Sequence, residues 1–168
     1  EDTISSLRKI SPLAPLHNPP AIKIIEQFKT ILPDINFYAV FDTAFHSSMP
    51  PKAFMYALPY EYYSMYKVRR YGFHGISHSY ISGRMKQLEP QANKIISCHL
   101  GGGASITAIN DGECIDTSMG FTPLEGLIMA TRAGDVDDGA VEYLQSLTKF
   151  DDADFAHIEN HKSGLLGI

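Results

Sequence analysis

Between Lys94 and Thr117 the chain reads KIISCHL, GGG, ASITAIN, DG, ECIDT: three short segments rich in β-branched residues, separated by two turns built on glycine. Segments like these have few ways to fold. Asp-Gly tolerates the positive backbone angles of a tight hairpin, and a glycine run reverses the chain without side-chain conflict. The spacing predicts an antiparallel meander over residues 94–100, 104–110 and 113–117. The glycine turn at one end could also gather backbone N–H groups around phosphate oxygens, or it could be a plain flexible turn.

Familiar phosphate loops do not fit HLGGGAS (99–105). A Walker loop needs Gly-Lys-Ser/Thr leading into a helix, whereas Ala104, Ser105 and Ile106 follow here. The dinucleotide fingerprint fails because Ile106 stands where its third glycine belongs. What remains is a β-hairpin phosphate loop of the kind used by actin-like ATPases.

Elsewhere helices and strands interleave, so the class is α/β or α+β. Asn18 is expected to cap an amphipathic helix over 20–32, with Ile22, Ile25, Phe28 and Ile31 or Leu32 on one face. NFYAVFD (36–42) reads as a buried strand ending in Asp42. Short helical turns suit the proline-broken stretch 47–66, and Ser77 is expected to cap a helix over 78–89 with Tyr80, Ile81, Met85 and Leu88 inward. Thr122, Pro123 and Glu125 form a capping box predicting a helix over 123–131. Asp137 or Asp138 should start a helix over 138–149 with Val141, Leu144 and Leu147 inward, and Asp151 should cap a last one.

A chain of 168 residues that is 44% hydrophobic can bury a core as one domain or as parts of two. Its net charge of −5 argues against nucleic acid or an anionic membrane as a partner, leaving small molecules. No apolar run is long enough for a bilayer, and EDTISSLRK lacks the regions of a signal peptide, so a soluble cytoplasmic protein is expected. Cys98 and Cys114 are too few for a disulfide framework and read as reduced thiols. The start without Met and the end at SGLLGI read as a piece of a longer protein.

Several residues could do chemistry. In RRYGFHGISH (69–78), His74 lies in a glycine-flanked turn and could offer a fixed donor to developing negative charge, or be an ordinary satisfied histidine. His74 and His78 could share a helix face and a metal, but Gly75 stands where the zinc-protease pattern needs glutamate. Gly75–Ser79 fails as a nucleophile elbow at its last position. Asp42, with His46 nearby, could bind magnesium directly or through water, or cap its own loop. Arg132 could clamp a carboxylate or phosphoryl oxygen, or pair with Asp135. Asp135, Asp137 and Asp138 do not make a calcium loop, since Ala140 and Ser146 occupy its sixth and twelfth positions. His17 and Leu16 are held among prolines.

LAPLHNP (13–19), VFDTAFH and MP (40–50), YALPY (56–60), RRYGFHGISH (69–78), CHLGGGASI (98–106) and DTSMGFTPLEGLIMATRAGDVD (116–137) together resemble the acetate kinase family along nearly the whole chain. The resemblance implies an α/β, actin-like (RNase H-like, acetate and sugar kinase superfamily) fold, present in part. Residues 1–45 would end the first domain and 46–168 begin the second. It implies Mg-dependent, in-line phosphoryl transfer between ATP/ADP and acetate or acetyl phosphate by a cytoplasmic homodimer. Propionate or butyrate kinase is the alternative, as is a folded fragment without catalysis.

By motif, the resemblance makes His74 a transition-state stabiliser and Arg132 a clamp on the transferring group. It makes Asp42 the catalytic carboxylate, linked indirectly to magnesium, and His17 a supporting active-site histidine. His99, Leu100, Gly101, Gly102 and Gly103 match the ATP phosphate loop, while Leu16, Phe73 and Pro123 match the pocket for the substrate's alkyl end. Two positions depart from the family: Gly102 replaces a usual asparagine, and Asp138 a usual proline. The family's Asn-x-Gly-Ser-Ser-Ser turn, upstream arginine, adenine-binding glycine motif and late glutamate are not among these residues.

Overall fold

The structure, a computed structural model, describes residues 2–11 and 17–168. The chain divides into two compact units, Glu1–Ala39 and Val40–Ile168. In the first, α1 (Asp2–Lys9) and α2 (Asn18–Ile31) are joined by an Arg8–Glu26 ion pair. Pro19 and Pro20 carry no N–H, so the first helical donor is Ala21, which bonds the His17 carbonyl at 3.2 Å. His17 rather than Asn18 therefore occupies the cap. Only Ile22 of the expected apolar stripe is buried.

The expected strand 36–42 does not form: the segment is irregular, with Tyr38 and Val40 exposed. A strand needs a neighbour for its N–H and C=O groups, and none pairs with this segment among the described residues.

In the second unit a 3-10 turn (Ala44–Ser48), α3 (Pro51–Phe54) and α4 (Tyr60–Tyr66) fill the proline-rich stretch, as its composition suggests. Next come α5 (Gly75–Leu88) and a three-stranded antiparallel sheet, β1 (Lys94–Leu100), β2 (Ala104–Asn110) and β3 (Glu113–Thr117), in the order β1-β2-β3. The meander matches its predicted bounds. Asp111 and Gly112 both take positive φ, 49° and 89°, as a tight hairpin requires. Register runs Ser97↔Thr107, His99↔Ser105 and Thr107↔Thr117, which puts these side chains on one face. That face meets α5 and the 3-10 turn.

Helix α5 begins three residues earlier than the Ser77 cap predicts, because His74 itself takes the cap position. Its buried side is Gly75, His78 and Ser82, while Tyr80, Ile81 and Leu88 face outward. The expected helix 123–131 is absent. Glu125, needed for its capping box, instead pairs with Arg70 at 2.5 Å and with the Tyr56 hydroxyl. Residues 121–132 consequently run as turns and bends. Helices α6 (Asp138–Thr148) and α7 (Asp152–His161) start where predicted, capped by Asp137 and by an Asp151–Asp154 capping box. Leu144 and Leu147 of α6 are exposed, against expectation, since nothing among the described residues covers them. No helix is long and apolar enough to cross a membrane.

Candidate active site

Asp42 and His46 grip the turn that leads into α5. The Asp42 carbonyl accepts the Gly75 N–H at 2.8 Å, and its Oδ2 accepts the His74 N–H at 2.6 Å. Asp42 thus caps another segment's helix start rather than its own loop. His46, fully buried, donates from Nε2 to the Phe73 carbonyl at 2.8 Å and faces the Cys114 sulfur at 3.2 Å through Nδ1. The Cys114 thiol, pushed up to about 11 mainly by burial, stays protonated. A side chain at Gly72, φ +75°, would run into His46 and Thr117. One at Gly75 would strike the Asp42 carbonyl.

Held this way, His74 sits at φ 57°, a left-handed conformation that is costly for a non-glycine residue and persists only where its surroundings enforce it. Its Nδ1 lies 2.9 Å from the Ser105 hydroxyl, and its ring stacks on His99 with centroids 4.1 Å apart. Ser105 also contacts His78 Nε2 at 2.8 Å, and His78 Nδ1 contacts Ser97 at 2.9 Å. His99 Nδ1 meets Ser77 at 3.0 Å.

Burial lowers the affinity of His46, His74 and His78 for a proton. For His74 the neighbouring His99 adds to that effect, Asp42 opposes it, and Arg132 reinforces it. His78 falls to about 4. These rings are neutral at physiological pH. Because Ser105 stands between His74 Nδ1 and His78 Nε2, the histidine pair does not present two nitrogens to one ion, and no cluster of three metal-binding side chains occurs among the described residues.

Arg132 approaches from the 121–132 segment, its Nη1 donating to the Pro123 carbonyl at 3.1 Å and lying 3.7 Å from the Met129 sulfur. It forms no ion pair with Asp135, whose carboxylate takes the Gly126 N–H at 2.7 Å. Arg70 anchors the segment's beginning: one guanidinium nitrogen bonds the carbonyls of Thr117, Ser118 and Met119 at 3.1, 3.0 and 3.2 Å, the other bonds Glu125. Phe73 packs against a small apolar cluster of Ala104, Met119 and Met129.

The glycine turn completes the arrangement. A methyl group built on Gly103 would lie 3.3 Å from both Arg132 Nη1 and His74 Nε2. Loop, imidazole and guanidinium therefore meet at one point. Gly101 N–H is used within the turn, on the Gly103 carbonyl at 3.0 Å, whereas Gly102 and Gly103 N–H have no partner among the described residues. Gly102 borders open space, so the asparagine usual at that position would fit.

Of the residues singled out from sequence, Asp42, Phe73, His74, His99, Gly103, Pro123 and Arg132 are thus linked directly or through one neighbour. Leu100 lies on the opposite face of β1 from His99, and exposed. His17 belongs to the other compact unit, as the cap of α2. Leu16 lies outside the described residues. Sequence reading overlooked Ser105 and Ser97, and weighed His78 only as a metal ligand. Alternation gave no signal for the two serines, since in β1 it sets the apolar Ile96 and Leu100 against Ser97 and His99 and would turn the apolar pair inward.

The pattern that defines the Acetokinase family matches residues 1–168. The chain belongs to that family. Acetate kinases from Acetivibrio thermocellus and Phocaeicola vulgatus are each 53% identical to it, over 100% and 93% of the chain. Those alignments span 43% and 40% of the relatives' own lengths, so the acetokinase segment here covers about two-fifths of what they contain. Among solved structures, a propionate kinase from Francisella tularensis superposes with a TM-score of 0.96 at 43% identity, over 99% of this chain and 44% of that one. An acetate kinase from Porphyromonas gingivalis gives 0.92 at 44% identity, over 99% and 43%.

Proposed function

We propose that these residues serve an enzyme that transfers a phosphoryl group between ATP and acetate. One acetate oxygen bonds the γ-phosphorus as the bond from phosphorus to the β–γ bridging oxygen breaks, giving acetyl phosphate and ADP. The observation carrying this reading is the meeting of His74 Nε2 and Arg132 Nη1, each 3.3 Å from the Gly103 methyl position. Such a transfer needs little covalent help, and preorganised donors around the equatorial oxygens supply most of the acceleration.

In this reading Arg132 carries fixed positive charge to the transferring group, and neutral His74 adds a hydrogen bond. Gly102 and Gly103 N–H donate to nucleotide phosphate oxygens. Phe73 and Pro123 bound the methyl end of acetate. Magnesium accompanying the nucleotide would neutralise charge on its terminal phosphates. Asp42 is the residue fitted to hold it: Oδ2 is taken by His74 N–H, and Oδ1 has no partner among the described residues to keep it from a magnesium-bound water. The same reading carries a cytoplasmic homodimer.

The test is acetyl phosphate formation by the protein of full family length with Arg132→Ala or His74→Ala. Losses of about 100-fold or more are expected; activity within about tenfold of the parent contradicts the roles. Propionate is the second reading, favoured by the propionate kinase among the solved neighbours. Comparing kcat/KM for acetate, propionate and butyrate separates the two.

A further inference from the structure

Ser97, His78, Ser105 and His74 form an unbroken chain of hydrogen bonds, at 2.9, 2.8 and 2.9 Å, from the interior of the sheet to the candidate active site. Ser97, His78 and Ser105 are at most 3% exposed, so each polar atom must find its partner within the protein. The direction of every bond follows from the inner end.

The Ser97 hydroxyl has one partner among the described residues, His78 Nδ1. A hydroxyl has a single proton to give, and leaving a buried donor unused costs more than leaving a lone pair unused. Ser97 therefore donates, which makes His78 Nδ1 an acceptor. Neutral His78 then carries its proton on Nε2 and gives it to Ser105. With only the two imidazoles as partners, Ser105 sends its own proton to His74 Nδ1. If instead both imidazoles donated to Ser105, its proton would be stranded.

We infer that Ser105 and His78 are positioning residues that lock His74 as the Nε2–H tautomer, so that the nitrogen facing Gly103 and Arg132 is always a donor. The Asp42 bond to the His74 backbone and the His99 stack fix the ring's orientation. The hydroxyl–imidazole chain fixes its proton. Neither Ser105 nor His78 touches the cleft. The consequence for catalysis rests on the phosphoryl-transfer reading; the tautomer itself does not.

The experiment is a long-range proton–nitrogen correlation spectrum of the chain with 15N-labelled histidine, at about pH 8, where imidazoles are neutral. His74 and His78 are both expected to carry the proton on Nε2. A proton on Nδ1 of either ring overturns the inference. In Ser105→Ala the His74 Nδ1 resonance should move toward that of an unbonded ring nitrogen, and Ser105→Thr should restore it. An unchanged His74 in Ser105→Ala also overturns the inference, and if that variant fails to fold the unsubstituted spectrum still decides.

In the full-length protein Ser105→Ala should lower kcat by roughly tenfold or more with KM for ATP little changed. Ser105→Thr should recover most of the loss. Reversed tautomers in an active kinase remove this relay and leave the functional reading. Correct tautomers in a protein without kinase activity do the opposite.

Discussion

On one face of the sheet Ser97, Ser105, Thr107 and Thr117 are 3%, 0%, 0% and 5% exposed; on the other, Ile96 and Leu100 stand 67% and 74% exposed. Helix α5 shows the same inversion, burying Gly75, His78 and Ser82 while Tyr80 and Leu88 face outward. Burying a hydroxyl costs free energy unless it is hydrogen-bonded. The four hydroxyls buried on the sheet are all bonded: Thr107 to Thr117 at 2.8 Å, Ser97 and Ser105 to imidazoles. The difference between the faces shows that burial around α5 follows the needs of four closely set histidines rather than hydrophobicity.

The largest effect should come from His78→Leu, which keeps an apolar residue of similar size but strands two buried hydroxyls. It should cost about 4 kcal/mol in urea unfolding of the chain. A cost below about 1 kcal/mol would mean the inner face is held by packing alone.

Next is pH. Burial lowers the His78 pKa from its ordinary 6.5 to about 4 in the folded chain. Its neutral form is the one the fold accommodates, so this contribution is complete above 6.5 and is lost as pH falls from there to about 4. The loss should be on the order of 3 kcal/mol. Unfolding midpoints across that interval should drop in the parent chain and in Leu100→Ser, and drop less in His78→Leu. Equal drops in all three would remove His78 as the cause.

Tyr56→Phe should be milder, about 1 to 2 kcal/mol by thermal unfolding, because it leaves the Phe121 N–H, now bonded at 2.8 Å, without its acceptor. The smallest effect belongs to the outer face, where Leu100→Ser or Ile96→Thr should change stability by about 0.5 kcal/mol or less. A much larger cost there would show that the exposed face is covered in solution.

Legibility in the sequence followed the range of the interactions. The meander and the starts of α6 and α7 were readable because their causes are local: Asp111-Gly112 turn chemistry, Asp137 accepting the Gly139 N–H as a cap, Asp151 reciprocated by Asp154. The helix expected over 123–131 failed because Glu125 was claimed by Tyr56 and Arg70, more than fifty positions away. Residues 36–42 carry a strand's composition without a partner strand among the described residues. At the candidate site, His74 and Arg132 could be named from motifs. The hydroxyls behind them could not, since a serine in a strand reads equally well as facing solvent.

The most direct measurement is a structure of the full-length protein with ATP and magnesium bound. The account predicts γ-phosphoryl oxygens within hydrogen-bond distance of His74 Nε2 and Arg132 Nη1, with Gly102 and Gly103 N–H directed at phosphate. A nucleotide whose phosphates lie against another face, leaving those four groups untouched, would contradict it.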